Sequence, residues 1–280
     1  MNSYPFGDGR VLVELKNGLH LAVPVNDPFM GAQIVIDRCW EPFIERKIVE
    51  NLRPGARAVN VGASVGYFAA LMGRIIGREG RLFCFEPNPA VFDLLIYNLL
   101  VNKVHERANV YRQAVAHKAV DLELLFSDRY LDGWLVSDRQ VGGQFSENGQ
   151  FIWNDMLARD PQARTIPSRT VTLNHMLGDA GAFDFLLVDA EGYDIGILHA
   201  ADRLIGNSPN LRILFEWHRA FTLSIFPLPI VERLFDLLAK AGFRFEFADS
   251  LAADPEWMPA DDPMDMVRRH SLGNFFAWRQ

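Results

Sequence analysis

Cysteine is nearly absent: Cys39 and Cys84 are the two among 280 residues. That excludes a small scaffold held by disulfides and points to a reducing compartment. An excess of basic charge is also missing. The chain has 28 Lys and Arg against 35 Asp and Glu, a formal net charge of -7. Binding a phosphate backbone needs a basic face, so nucleic acid is not expected as the main partner. Long apolar runs are lacking too. No stretch approaches the roughly 20 apolar residues of a membrane span. The start, M-N-S-Y-P-F-G-D-G-R, has neither a basic region nor an apolar one, so no signal peptide is expected. The expectation is a cytoplasmic protein. What the chain does have is apolar content, 49% of its residues, enough for a sizeable core.

Its apolar pattern alternates. A hairpin is predicted over 10–25, with two apolar runs flanking Asn17-Gly18. A helix over 40–52 follows, ended by Pro54-Gly55. Beyond it, strands are predicted at 58–62, 81–85, 108–113, 183–188, 211–215, 243–247 and 274–278, and a further extended run at 119–126. Helices are predicted at 65–76, 89–102, 195–205 and 230–241. Such alternation predicts an α/β sandwich with helices on both faces of the sheet. Residues 127–169 break the pattern with Gly142-Gly143, Trp134 and Trp153 and are read as a lid. Residues 249–270 are a second irregular stretch. The division expected is an N-terminal hairpin and helix, 1–54, packed on a domain 55–280 that carries the insertion.

Chemistry concentrates where predicted strands end. The first strand runs into Gly62-Ala63-Ser64-Val65-Gly66, a turn whose glycines let backbone approach a ligand. The dinucleotide fingerprint asks for a glycine where Ser64 stands, which argues against a pyrophosphate ligand. Glu86 ends the next strand, before Pro87-Asn88-Pro89, where a carboxylate accepts from both ribose hydroxyls. The alternative is that it helps to cap the next helix. The strand before Asp189-Ala190-Glu191-Gly192-Tyr193 delivers two more carboxylates, each a candidate base, metal ligand or ammonium anchor. Asp194 suits a charge at a helix start better than Asp189 does. Phe215-Glu216-Trp217-His218 ends the strand after that. Asp189 and Glu216 are candidate oxygen ligands for Mg2+, and His218 a candidate proton acceptor. His105 and His117 are read as surface residues.

These pieces resemble the FkbM family of S-adenosylmethionine-dependent methyltransferases. The resemblance rests on Trp40-Glu41-Pro42, Val59 to Tyr67, Phe85 to Pro89, Gln113-Ala114-Val115, Thr170 to Leu173, Asp189 to Tyr193 and Leu214 to Trp217, in that order. Two positions depart from it: the family's turn usually reads D-V-G-A-N-x-G, and here Asn60 replaces the aspartate and Ser64 the asparagine. The resemblance implies a class I, Rossmann-like sheet of seven mostly parallel strands, with one antiparallel strand near the end. It also implies methyl transfer to oxygen, on sugar hydroxyls or natural-product hydroxyls.

The residues expected to hold the cofactor are Glu41, Asn60, Gly62, Ala63, Ser64, Gly66, Tyr67, Glu86, Pro87, Gln113, Ala114 and Asp189. Asp189, Glu191 and His218 are the catalytic candidates. The acceptor is expected to be a small molecule or glycan, with Trp134, Trp153 and Trp217 available to stack on a sugar. A homo-oligomer is compatible with the sequence. A nicotinamide-dependent oxidoreductase and a cofactor-binding protein without turnover are the alternatives.

Overall fold

The structure is a computed structural model describing residues 3–7, 9–127, 131, 133–136, 139, 140, 144, 145, 158 and 160–279. Most of the expected lid, with Trp153, lies outside the described residues, as does the side chain of Trp134.

The chain opens with an antiparallel meander of β1 (Ser3–Gly7), β2 (Arg10–Glu14) and β3 (His20–Pro24). The predicted hairpin is β2 and β3, paired from Arg10–Pro24 to Glu14–His20. Gly18 takes φ 80° in its turn, and the Leu19 N–H donates to Asn17 Oδ1 at 3.0 Å. Strand β1 was not expected. Helix α1 (Met30–Asp37) is also new, and α2 (Pro42–Asn51) is the predicted helix. Proline at its start costs no hydrogen bond, because the first N–H groups of a helix have no partner within it.

A mostly parallel sheet follows. Its first strands are β4 (Arg57–Val61), β5 (Arg81–Phe85) and β6 (Ala108–Tyr111). Smaller sheets interrupt it. They are formed by β7 (Asp121–Phe126), β8 (Gly133–Val136) and β11 (Arg164–Arg169), and by the short β9 (Arg139–Gln140) and β10 (Gln144–Phe145). The main sheet then resumes with β12 (Phe185–Val188), β13 (Arg212–His218), β14 (Arg244–Asp249), β15 (Met258–Pro259) and β16 (Leu272–Trp278). The order in this eight-stranded sheet is β15-β14-β16-β13-β12-β4-β5-β6. Strand β12 runs parallel to both β4 and β13, β5 runs parallel to β6, and β16 is antiparallel to β13 and β14. This is the expected sheet with its antiparallel strand near the end, extended by the two-residue β15.

The helices after α2 are α3 (Tyr67–Ile76), α4 (Pro89–Val101), α5 (Leu173–Leu177), α6 (Asp194–His199), α7 (Asp202–Gly206), α8 (Arg219–Ile225), α9 (Leu228–Lys240) and α10 (Pro263–Arg269). The single helix predicted over 195–205 is two, α6 and α7. The irregular tail contains α10, which starts at Pro263 under a bond from the Met264 N–H to Asp262 Oδ1 at 2.9 Å.

The chain divides into two compact units. The first comprises 1–56, 62–113 and 122–168; its core includes Val13, Leu21, Ile34, Ile48, Leu71 and Leu95. The second comprises 57–61, 114–121 and 169–280, with a core of stacked rings. Phe215 stacks on Phe275 with ring centres 5.4 Å apart, and Phe235 sits 4.8 Å from Phe275. Among the described residues no helix is long and apolar enough to cross a membrane.

Candidate functional site

In the first unit the glycine turn is held from several sides. The N–H groups of Gly62 and Ala63 both donate to the Phe85 carbonyl, at 2.9 and 3.0 Å, which fixes the turn to the end of β5. Gly66 has φ 90°, and a Cβ there would sit 2.7 Å from Leu95 Cδ1, so both backbone and packing require glycine. Ser64 takes φ 46°, a conformation that costs an ordinary side chain energy.

Glu86 is buried, and its two oxygens are used separately. Oε2 accepts the Ser64 N–H at 2.7 Å, and Oε1 accepts the Asn88 N–H at 2.8 Å. Glu86 therefore braces the turn and the approach to α4. Asn88 caps α4 by accepting the Ala90 N–H at 3.0 Å.

Several first-unit residues that support the turn were not foreseen. Asn98, fully buried on the apolar α4, donates to the Val65 carbonyl at 2.8 Å and exchanges bonds with Ala22 of β3. Glu45 of α2 accepts from the Tyr67 hydroxyl at 2.5 Å and from Asn17 Nδ2 at 3.1 Å. Burial and that bond raise the Tyr67 hydroxyl far above its ordinary pKa, so Tyr67 acts as a neutral donor. A lone polar residue in the run L-L-I-Y-N-L-L-V was a readable signal for Asn98. Glu41 is half-buried before α2, at φ 40°. Pro87 and Gln113 are half-buried after β5 and β6 respectively.

In the second unit Asn60 lies on β4 and is 1% exposed. Its Oδ1 is buried without a hydrogen-bond partner among the described residues. A buried acceptor left unpaired is costly, and an ammonium group from a ligand would satisfy it. Parallel strands β4 and β12 flank the point where the order of the sheet reverses, which is where ligands of open α/β sheets bind. Asp189 follows β12 directly, and its N–H donates to the Val61 carbonyl at 3.0 Å.

Burial pushes the Asp189 carboxyl up to about 6. Asp194, fully buried at the start of α6, is raised well above the ordinary range by burial and then by the Asp189 charge. Its carboxylate accepts from the Ala190 and Glu216 N–H groups, each at 3.3 Å, tying the end of β12 to β13. Asp194 is thus more than the charge at a helix start that the sequence suggested. Between them, Glu191 takes φ 50° and Gly192 φ 90°. A Cβ on Gly192 would lie 2.8 Å from the Phe221 backbone carbon.

The alternation of β13 puts Glu216 and His218 on one face, half-buried, and Trp217 on the other, fully buried. Trp217 Nε1 donates to the His270 carbonyl at 3.0 Å. This corrects the expectation for Trp217: a core side chain cannot stack on a sugar. His218 caps α8, its Nδ1 accepting the Phe221 N–H at 3.2 Å. That bond assigns the neutral ring's proton to Nε2, which makes Nε2 a donor. Ala114 is buried, and its carbonyl accepts the Val171 N–H at 2.9 Å. His117, expected at the surface, is half-buried; its Nδ1 has no partner among the described residues, and burial lowers its pKa.

Among the described residues no group of three or more His, Cys, Asp or Glu is placed to hold a metal ion. Asp189 and Glu216 alone do not make the oxygen-rich shell that Mg2+ takes, so no step is assigned to a metal here.

Of the five non-glycine residues with positive φ among the described residues, Arg38 and Lys103 lie just beyond helix ends. The other three, Glu41, Ser64 and Glu191, are all among the residues the sequence nominated.

A model of the methyltransferase FkbM domain matches residues 60–245. No curated protein matches the chain significantly. Among solved structures, an O-methyltransferase from Bacillus cereus in complex with SAH shares 12% identity over 85% of this chain and 79% of its own, with a TM-score of 0.45. The O-methyltransferase TomG from Streptomyces achromogenes, involved in tomaymycin synthesis and in complex with SAM, shares 11% over 85% and 78%, with a TM-score of 0.44. A SAM-dependent O-methyltransferase from Thermotoga maritima shares 13% over 99% and 95%, with a TM-score of 0.43.

Proposed function

Since the chain belongs to the FkbM methyltransferase family, we propose that its S-adenosylmethionine-dependent reaction places the methyl group on a hydroxyl oxygen of a sugar, glycan or natural product. When bound, the cofactor supplies an electrophilic methyl group on a sulfonium. Within the first unit, Glu86 suits ribose hydroxyls and the turn from Gly62 to Gly66 a close backbone approach; within the second, Asn60 Oδ1, with no hydrogen-bond partner among the described residues, suits an ammonium group. Glu41, Tyr67, Pro87, Gln113 and Ala114 are assigned to the same cofactor by resemblance.

The protein's own task is to position the acceptor and remove its proton. Positioning supplies much of the acceleration in a displacement of this kind. The observation that carries the choice of a hydroxyl is Asp189, a half-buried carboxyl group at the end of β12 beside the reversal of the sheet. Its pKa of about 6 suits a group that takes up a proton near neutrality. Glu191 is the second candidate base. His218 is less suited, because its capping bond makes Nε2 a donor.

The test incubates the protein with methyl-labelled S-adenosylmethionine and a panel of sugar and polyketide alcohols, with matched amines as controls. Label on a hydroxyl oxygen, reduced about a hundredfold or more in Asp189→Asn, is expected. Label on the amines alone would refute the hydroxyl assignment.

A further inference from the structure

The segment 27–31 precedes the matched region 60–245, yet within the first unit it reaches the cofactor turn. Met30 is the first residue of α1, and its Sδ lies 4.0 Å from Ser64 Oγ. Ser64 is the residue whose N–H Glu86 holds. Met30 is only 9% exposed, so this is a settled position for its side chain.

What settles it is Asp27. The start of a helix leaves N–H groups without acceptors, and the N-cap Phe29 offers no side-chain bond. Asp27, buried to 2% exposure, supplies the acceptor from upstream: Oδ2 takes the Gly31 N–H at 2.5 Å. Gly31 fixes the spacing, since a Cβ there would lie 2.9 Å from the Pro24 carbonyl and 3.0 Å from Asp27 Cβ.

A run of contacts leads from Leu131 to Met30. The Leu131 carbonyl accepts from Asn88 Nδ2 at 3.5 Å, Asn88 donates its N–H to Glu86, Glu86 holds Ser64, and Ser64 meets Met30. Met30 and Glu86 therefore meet at the same residue of the turn, one with a soft thioether and one with a carboxylate. A ribose held by Glu86 presents a weakly polar sugar face, and a polarisable thioether is suited to cover it.

We propose that residues 27–31 complete the cofactor site, with Met30 lining it at Ser64 and Asp27 acting as the positioning residue that holds Met30 there. The proposal rests on the reading that the turn and Glu86 bind S-adenosylmethionine.

The experiment titrates S-adenosylhomocysteine into the wild type, Asp27→Ala and Asp27→Asn by calorimetry, and follows the Met30 methyl signal of 13C-methyl-methionine protein. Met30→Leu identifies that signal among the eight methionines. We expect the Met30 signal to move on binding in the wild type, affinity to fall at least about tenfold in Asp27→Ala, and Asp27→Asn to stay within about threefold because it keeps an acceptor for the Gly31 N–H. A Met30 signal unmoved at saturation overturns the proposal even if Asp27→Ala fails to fold. So does a folded Asp27→Ala that binds within about twofold of the wild type. In both cases wild-type binding leaves the cofactor reading intact, whereas no binding by the wild type overturns both.

Discussion

The Ser64 N–H donates to Glu86 Oε2 at 2.7 Å, joining the middle of the glycine turn to the acid at the end of the next strand. Two features that look like separate ligand contacts in the sequence are one braced unit. Glu86→Ala should therefore affect folding as well as binding. The Asn88 N–H, which is buried, and the half-buried Ser64 N–H would lose their acceptor, a loss of about 1–3 kcal/mol for each that stays dry. Chemical denaturation should show a lowered midpoint. A midpoint equal to the wild type would mean that these bonds contribute nothing.

Asn60 should behave in the opposite way. Its Oδ1 has no partner among the described residues, so Asn60→Ala loses no bond to them and should change stability by less than about 1 kcal/mol. The same change should weaken S-adenosylhomocysteine binding by about tenfold, through loss of the ammonium acceptor. Asn60→Asp places a buried charge without a partner, so the ligand-free protein should lose stability at pH 7 and regain it when ligand is added. Denaturation with and without ligand reads both. A large loss of stability in Asn60→Ala with unchanged affinity would assign Asn60 to the scaffold.

Gly66→Ala tests the close packing of the turn. It combines φ 90° with a Cβ 2.7 Å from Leu95 Cδ1, and should cost about 2 kcal/mol or more. Gly55→Ala is the control: φ is 82°, but nothing lies within 4 Å, so only the backbone cost of about 1 kcal/mol is expected. Equal costs for the two would remove Leu95 from the explanation.

The pair Asp189 and Asp194 makes stability depend on pH. Both carboxyls are raised in the folded state from 3.8, Asp189 to about 6. The native state thus holds protons that the unfolded chain has released. This contribution is fully present below the unfolded pKa of 3.8 and is lost as pH rises through the folded values. Asp194→Asn cannot ionise, so its stability relative to the wild type should rise between about pH 4 and pH 7. Thermal melts of both proteins across that range check it, and a constant difference would contradict it.

Much of this fold was readable because its signals are local. Strand β5 was predicted at its observed bounds, since its apolar run sits between Gly80 and the Glu86-Pro87 corner. The start of α4 was readable because Pro89 follows a capping asparagine. Strand β1 was missed because S-Y-P-F-G has no alternation and contains both Pro and Gly. Helix α1 was missed for a physical reason: its acceptor is Asp27, two residues before the usual cap position, so the cap signature is absent. Helix α10 carried an ordinary signature, Asp262-Pro263, that the acidic surroundings obscured.

The candidate site divides in the same way. Glu86, Asp189 and the glycines stand at strand ends, where sequence patterns point. Glu45, Asn98 and Met30 act through contacts with residues far away in the chain, which no spacing rule encodes. Trp217 shows the converse: the alternation in F-E-W-H already placed it opposite Glu216 and His218, and that pattern outweighs a general affinity of aromatic rings for sugars.

The most direct test of the central claim is a calorimetric titration of S-adenosylhomocysteine into the folded wild type and into Glu86→Ala. Saturable one-to-one binding by the wild type, weakened well over about tenfold in a folded Glu86→Ala, is the predicted result. No heat of binding at millimolar ligand from folded wild-type protein would contradict the account.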